Sequence, residues 1–143
     1  MMNNSLKLSN QLCFPLYAAS KSIVSKYTPV LKPFDLTYTQ YIVLLVLFEE
    51  GEIGVKELGE KLYLDSGTIS PLIKKLEKKG YIKKKRLTKD ERIVKVSLTK
   101  EGERLEKELR IVPPQVGKCI NLAPKEVITL YSLLHKLLGN EGI

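Results

Sequence analysis

At Gly80 the spacing of apolar residues changes from that of a helix to that of a strand, and this change constrains the fold more than any other feature. Before Gly80, four apolar residues recur at the intervals of one helix face: Ile69, Leu72, Ile73 and Leu76. After it, the segments 81–87 and 92–98 alternate with a period of two and carry β-branched residues, which is typical of strands joined by a turn at 88–91. The sequence therefore predicts a mainly α protein with a small β-hairpin.

Two more helices precede this unit. Thr37 and Gln40 fit a capping box, and the residues 41–48 that follow are apolar on all sides, which favours a buried helix. A short amphipathic helix over 55–62 comes next, and Asp65 or Ser66 can cap the helix after it. Short helices joined by a tight link and followed by a hairpin describe a winged helix-turn-helix, which we place at about residues 37–99.

Further helices flank this core. A first helix should end at Pro29 and Pro33, while a helix capped by Thr99 is interrupted at 113–114 and another begins at Pro124. Their apolar stripes exceed what the central core needs, so we expect dimerisation helices at about 9–32 and 100–139 within a single domain, 1–143. The alternative is that these helices fold back onto their own core in a monomer.

The positive charge is confined to one window. The net charge is +8, yet residues 66–100 hold 12 Lys and Arg against 3 Asp and Glu, and the rest of the chain holds 12 against 13. Such asymmetry is typical of a protein that binds a polyanion. The alternative is a solvated lysine face that has no partner.

The basic helix has the properties of a helix that reads DNA. The major groove of B-DNA admits one helix, whose N-terminal residues contact base edges while lysines contact phosphates. The predicted contacts from this helix are small, hydroxylic or basic: Ser66, Gly67, Thr68, Ser70, Pro71, Lys74, Lys75 and Lys78. From the hairpin we add Arg86, Lys89, Asp90 and Arg92, with Arg92 entering the minor groove and Asp90 holding its guanidinium. The alternative is a packed helix pair beside an unrelated hairpin.

Two longer segments resemble the MarR family of winged-helix repressors, YLDSGTISPLIKKLEKKGYIKKK and DERIVKVSLTKEG. The signature of that family, an Asp-x-Arg wing followed by Leu-Thr-x-x-Gly, is formed here by Asp90, Arg92, Leu98, Thr99 and Gly102. The segments NQLCFPLYAAS and LTYTQYIVLLVL, with Tyr27, are similar to the OhrR-like branch, which senses organic hydroperoxides. Pro15 departs from that branch, where alanine or leucine is more usual.

The resemblance implies a homodimeric repressor on a palindromic operator in double-stranded DNA, released when a cysteine is oxidised by an organic hydroperoxide. The sensor would be Cys13, with three tyrosines hydrogen-bonded to it, some from the other subunit: Tyr17, Tyr27 and Tyr38. The residues themselves agree on Cys13, because Asn10 or Gln11 can cap the first helix and place the thiol in its first turn, where a thiolate is favoured. The alternative is an inert packed cysteine.

A second cysteine, Cys119, lies between Pro114 and Pro124, near a helix end. Members of the branch with a cysteine in this region resemble a two-cysteine type, in which the second thiol of the other subunit resolves the sulfenic acid. The alternative is that Cys119 is incidental and that a small cytosolic thiol caps Cys13.

Other classes of protein find little support in the residues. One histidine and two cysteines are too few for a zinc site, and no cofactor motif, Ser-His-Asp pattern or phosphate loop occurs, so we expect no enzyme. His135 is assigned to a dimer helix or to the surface. The longest apolar run is far below the roughly 20 residues of a membrane helix, and no signal peptide is recognised, so we expect a cytoplasmic protein without membrane contact. Two other hypotheses remain: a repressor released by a small aromatic ligand, and a nucleoid or RNA-binding protein without an effector.

Overall fold

The computed structural model describes residues 3–87 and 90–139, without the side chains of Leu87, Asp90, Glu91 and Arg92. Seven α-helices and three strands follow one another in these ranges: α1 (Cys13–Leu31), α2 (Tyr38–Glu50), β1 (Glu52–Gly54), α3 (Val55–Leu62), α4 (Ser66–Lys78), β2 (Ile82–Leu87), β3 (Asp90–Leu98), α5 (Lys100–Leu109), α6 (Val112–Gly117) and α7 (Pro124–Leu137). Single 3-10 turns lie at Asn4–Leu6, Leu8–Asn10 and Lys32–Phe34. The predicted fold class, mainly α with a small β wing, is confirmed.

Helix α2 forms the centre of the core. Its capping box is present, because Thr37 Oγ1 accepts from the Gln40 amide at 3.3 Å and Gln40 Oε1 accepts from the Thr37 amide at 3.0 Å. Four apolar residues of α2 are buried: Tyr41, Val43, Leu44 and Leu47. Leu45 is 41% exposed, so the prediction that this helix is buried on all sides is wrong at one position.

The wing has three strands rather than two. The sheet is antiparallel in the order β1-β3-β2, with Ile53 opposite Val96 and Ile82 opposite Leu98. The sequence pattern did not predict β1, because a strand of three residues that ends in a glycine is too short to show a period of two. Strand β3 begins at Asp90, so this residue and Glu91 lie in the strand and not in the predicted turn.

The Leu-Thr-x-x-Gly signature fixes α5 against the base of the wing. Thr99 caps α5 by accepting from the Gly102 amide at 3.2 Å, and the Thr99 amide donates to the Tyr81 carbonyl at 3.0 Å. A Cβ on Gly102 would lie 2.1 Å from that same carbonyl oxygen, so only glycine permits this approach. Leu105 and Leu109 of α5 are buried. Pro113 and Pro114 lie in the first turn of α6, where they begin a helix as well as interrupting one.

The ends of α1 differ from the predictions. Its N-cap is Leu12, which makes no capping bond, while the side chains of Asn10 and Gln11 donate to carbonyls of the preceding 3-10 turns. The prediction that one of them caps α1 is therefore wrong. Pro29 lies inside α1, which continues to Leu31. Burial of Leu31, which is 0% exposed, outweighs the one hydrogen bond that a proline removes.

Both terminal helices are largely uncovered. None of residues 13–22 of α1, and none of the described residues of α7, is buried, although both segments are rich in apolar side chains. His135 lies on α7, with its ring centre 4.2 Å from that of Tyr131. Within the described ranges no single helix is long and apolar enough to span a membrane; α1 with its following turn and α2 meet that test only jointly, with a 74° bend between them.

Candidate nucleic-acid interface and thiol site

Helix α4 presents two chemically different faces. Asp65 caps it, because the Asp65 carboxylate accepts from the Thr68 amide at 2.8 Å. The predicted apolar face is buried, and its four residues are 0–7% exposed: Ile69, Leu72, Ile73 and Leu76. Because the core holds this face, the other side of α4 is directed to solvent.

All of the residues of α4 that were predicted to contact DNA are exposed: Ser66, Gly67, Thr68, Ser70, Pro71, Lys74, Lys75 and Lys78. The small and hydroxylic ones occupy the first two turns, and the lysines follow towards the C-terminal end. A backbone can approach DNA closely at the first group, while the second can reach phosphates.

The wing and α4 enclose an open groove of about 1110 Å³. Ser66, Ser70 and Lys74 line it from α4, and Lys84 and Arg86 line it from β2. Lys84 Nζ lies 3.7 Å from Glu77 Oε1, which joins the wing to the exposed side of α4. The predicted contacts at Lys89, Asp90 and Arg92 lie outside the described residues or side chains, so they stay predictions.

The link between α3 and α4 depends on a glycine that the sequence analysis did not single out. The Leu64 amide donates to the Gly59 carbonyl at 2.9 Å, and a Cβ on Gly59 would lie 2.9 Å from the Leu64 carbonyl oxygen. Tyr63 turns the chain with a positive φ of 56°. In the sequence, the signal for this position is a glycine five residues before Leu64, in the link between the two helices.

Both cysteines are free thiols with exposed side chains. Cys13 is the first residue of α1, as predicted, and Cys119 lies in the turn after α6, with its Sγ 3.7 Å from the Gln115 carbonyl. Tyr17 is one turn beyond Cys13 and is 60% exposed; its ring centre lies 5.1 Å from Lys21 Nζ. Across the described ranges, no group of three His, Cys, Asp or Glu side chains could hold a metal ion.

Tyr27 and Tyr38 pack together at the other end of α1, with ring centres 4.7 Å apart. Tyr41 completes the cluster, 5.6 Å from Tyr27 and 6.4 Å from Tyr38. Burial raises the pKa of all three phenols above the ordinary value of 10.0, and the neighbouring tyrosines raise the pKa of Tyr38 and Tyr41 further. Tyr41 was not among the predicted sensor residues, although its spacing of three from Tyr38 puts both on one helix face.

The four predicted sensor residues form two separate groups. Cys13 and Tyr17 lie at the start of α1, whereas Tyr27 and Tyr38 belong to the tyrosine cluster. Fourteen residues separate Cys13 from Tyr27 along one helix, which at 1.5 Å per residue corresponds to about 21 Å. Within one chain, therefore, Tyr27 cannot donate a hydrogen bond to the Cys13 thiol.

Comparison with known proteins identifies the family. A family model described as transcriptional regulator SarA/Rot matches residues 25–109. The chain is 43% identical to the HTH-type transcriptional regulator SarZ of Staphylococcus aureus over 132 residues, which cover 92% of this chain and 89% of SarZ. This chain belongs to the SarA/Rot family of transcriptional regulators. Its relatives are regulators, which confirms the prediction that the protein is not an enzyme.

Solved structures agree with this assignment to the SarA/Rot family. Reduced AbfR bound to DNA is 33% identical, with a TM-score of 0.76 over 92% of this chain and 91% of that one. A mutant of MarR from E. coli, complexed with operator DNA, is 28% identical, with a TM-score of 0.80 over 89% of this chain and 93% of that one. The predicted MarR-like winged helix is confirmed, and the protein is a DNA-binding transcriptional regulator. AbfR, which is from Staphylococcus epidermidis, also has an overoxidised form bound to DNA and a disulfide form.

Proposed function

We propose that this SarA/Rot-family regulator is a homodimeric repressor that releases a palindromic operator when an organic hydroperoxide oxidises Cys13. The observation that carries the proposal is the position of Cys13, an exposed free thiol at the first residue of a long helix in a DNA-binding regulator. The thiolate is the nucleophilic form of a cysteine, and the exposure of Cys13 lets a peroxide reach it.

The dimer is supported by the apolar surface of α7. Leu130, Tyr131 and Leu137 are 39%, 51% and 70% exposed, and the exposed part of α1 adds Phe14 and Leu16. Exposed apolar side chains in this number are unfavourable in water, so we expect a second copy of the chain to cover them. Two-fold symmetry would also place two α4 helices about 34 Å apart, one turn of DNA.

A dimer would also reunite the two groups of sensor residues. About 21 Å separates Cys13 from Tyr27 along one chain, so a hydrogen bond between them has to join two subunits. In the proposed dimer, the Cys13 thiol of one subunit contacts Tyr27 and Tyr38 of the other. The thiolate attacks the terminal hydroxyl oxygen of the hydroperoxide and the O–O bond breaks, which forms the Cys13 sulfenic acid and expels an alkoxide. The alkoxide takes up a proton from solvent and leaves as the alcohol. The exposed side chains of Leu12, Phe14 and Leu16 provide an apolar approach for an alkyl hydroperoxide.

Redox forms of the related AbfR support the same chemistry. A disulfide form of AbfR exists, and this chain contains only two cysteines, so Cys119 is the available resolving thiol. Its attack on the Cys13 sulfenic acid would form the disulfide and release water. The disulfide needs Cα atoms within about 7 Å, so its formation would fix the turn after α6 at that distance from the start of α1.

The direct test measures DNA binding before and after oxidation. A DNA fragment selected by the reduced protein from a random pool is titrated with wild type and Cys13→Ser, with and without cumene hydroperoxide, and then after added thiol. We expect wild type to release and recover, and Cys13→Ser to bind without release. Release of Cys13→Ser by peroxide would contradict the assignment, release by salicylate-like compounds alone would favour an aromatic ligand, and equal affinity for any duplex would favour a nucleoid protein.

The tyrosines are tested through the rate of the response. Tyr27→Phe should keep the affinity of the reduced protein for DNA but respond more slowly to peroxide, because the thiolate loses a hydrogen-bond donor. Tyr17→Phe tests the tyrosine nearest to Cys13 in the same way. An unchanged rate in Tyr27→Phe would remove this tyrosine from the sensor.

The role of Cys119 is decided by non-reducing electrophoresis after stoichiometric peroxide. A disulfide-linked dimer that is absent in Cys119→Ser supports resolution between subunits. A monomer band that carries a mixed disulfide, with a normal response in Cys119→Ser, would reject it.

The DNA contacts are tested by charge removal. Lys74→Ala should weaken binding to every sequence alike and reduce its salt dependence, because one phosphate contact is lost. Lys125→Ala, which removes an equal charge from α7, is the matched control and should change neither. Arg92→Ala should cost about 1–3 kcal/mol on the selected sequence if its side chain enters the minor groove.

A further inference from the structure

Lys79, the residue directly after α4, joins the end of the recognition helix to the start of α2. Its Nζ donates to the Asp35 carbonyl oxygen and, at 3.2 Å, to Gln40 Oε1, and it lies 3.5 Å from the Asp35 carboxylate. The Lys79 side chain is 26% exposed. Lys79 is therefore directed inward, unlike the neighbouring lysines of α4, which face solvent.

Gln40 connects this contact to the tyrosine cluster. It is only 3% exposed, and its Oε1 accepts from both the Thr37 amide and Lys79 Nζ. These bonds hold the first turn of α2, the same turn that carries Tyr38 and Tyr41. If the turn moved without Lys79, the buried Gln40 Oε1 would lose a hydrogen bond, which costs free energy. We therefore expect the turn and Lys79 to move together.

We propose that the Lys79–Gln40 contact is a positioning link through which the tyrosine cluster sets the placement of α4. The proposal rests on the proposed function, because it assigns the route from the oxidised thiol to DNA. Oxidation changes the hydrogen bonds of Tyr38, and the first turn of α2 shifts with it. Gln40 then displaces Lys79 and the C-terminal end of α4. Because α4 is a rigid helix, its N-terminal end, which contacts the bases, changes its position in the DNA groove.

The link is broken from each side by one substitution. Lys79→Met keeps the apolar stem and removes the ammonium group, and Gln40→Leu removes the shared acceptor. Reduced protein should still bind DNA, because the buried face of α4 is untouched. The factor by which peroxide weakens DNA binding should fall about tenfold, the size expected for one charge-assisted hydrogen bond. The double variant should lose no more than either single one, since both act on the same contact.

Two variants separate positioning from general effects of charge and stability. Lys79→Arg keeps a donor at the same place and should retain most of the response. Lys78→Met is the matched control, because Lys78 is exposed on α4; it should lower DNA affinity and the salt dependence without changing the factor of release. A merely structural role of Lys79 would lower the melting temperature and leave that factor unchanged.

The closing experiment measures hydrogen exchange without oxidant. Binding of the selected DNA fragment to reduced wild type should slow exchange of the amides of Tyr38–Tyr41, and neither Lys79→Met nor Gln40→Leu should show this protection, whereas Lys78→Met should. Equal protection in the two link variants, or peroxide release by the wild-type factor in them, would overturn the link. If wild type fails to respond to peroxide, the proposed function is contradicted, and the exchange result still decides whether the link exists.

Discussion

Helices α4 and α7 carry similar apolar stripes but differ in what covers them. In α4 the four stripe residues are 0–7% exposed, whereas in α7 Leu130 and Leu137 remain 39% and 70% exposed. The period of apolar residues shows which face of a helix is apolar. It does not show whether that face packs against the core of the same chain or against another molecule. The stripe of α4 is covered within one chain, whereas the apolar side chains of α7 are left exposed.

The largest expected effects come from truncating one leucine in each helix. Leu76→Ala should lower the free energy of unfolding by about 2–5 kcal/mol, because it leaves a cavity in the core. Leu130→Ala should instead weaken the dimer and make the melting temperature more dependent on protein concentration. Urea unfolding and sedimentation at several concentrations measure both, and a large concentration-independent loss in Leu130→Ala would break the distinction between the helices.

A smaller loss is expected where α5 meets the wing. Gly102→Ala should cost about 1–3 kcal/mol, because the new methyl group overlaps the Tyr81 carbonyl and forces the backbone to shift. Gly117→Ala in α6 is the control, since a Cβ there meets nothing within 4 Å, and it should be neutral or stabilising. Equal unfolding midpoints for the two variants would show that the close approach at Gly102 is not a constraint.

Helix capping should distinguish α4 from α7 by the sign of the effect. Asp65→Ala removes the bond to the Thr68 amide and should cost about 1 kcal/mol, while Asp65→Asn should retain most of the cap. Helix α7 begins after Ala123, whose side chain has no acceptor, so Ala123→Asp should stabilise. Thermal unfolding at fixed concentration measures both, and a loss in Ala123→Asp would contradict the N-terminus assigned to α7.

The smallest effect concerns pH. The pKa of Tyr38 is raised by burial, so the folded protein holds this phenolic proton more tightly than the unfolded chain does. The resulting stability is present below about pH 10 and is lost as pH rises through the raised pKa. Tyr38→Phe should therefore lose less stability than wild type between pH 8 and pH 11 in urea unfolding, and parallel losses would contradict the burial.

Much of the fold could be predicted because its signals are local. The capping box at Thr37, the face of α4 and the cap at Thr99 each depend on residues within one or two turns. The third strand, β1, could not be predicted, because Glu52–Gly54 is a strand only by pairing with β3, far away in sequence. The course of α1 through Pro29 likewise depends on tertiary packing, which overrides a local preference.

The site divides in the same way. The exposed residues of α4 could be predicted from the period of its apolar face. The position of Cys13 in the first turn of α1 could also be predicted from the sequence. Tyr41 could have been predicted from its spacing to Tyr38, whereas the contact of Lys79 with Gln40 could not, because these two residues are 39 apart in sequence. Lys79 has the same residue type as its exposed neighbours, and only the three-dimensional structure distinguishes it.

The length of α1 has a consequence for mixed dimers. If each sensor combines Cys13 of one subunit with Tyr27 of the other, two defective subunits can complement each other. In a mixed dimer of Cys13→Ser and Tyr27→Phe subunits, one sensor carries both defects and the other carries none. The purified mixed dimer would then release DNA rapidly on peroxide, as neither homodimer does, whereas a sensor contained in a single subunit would allow no such rescue.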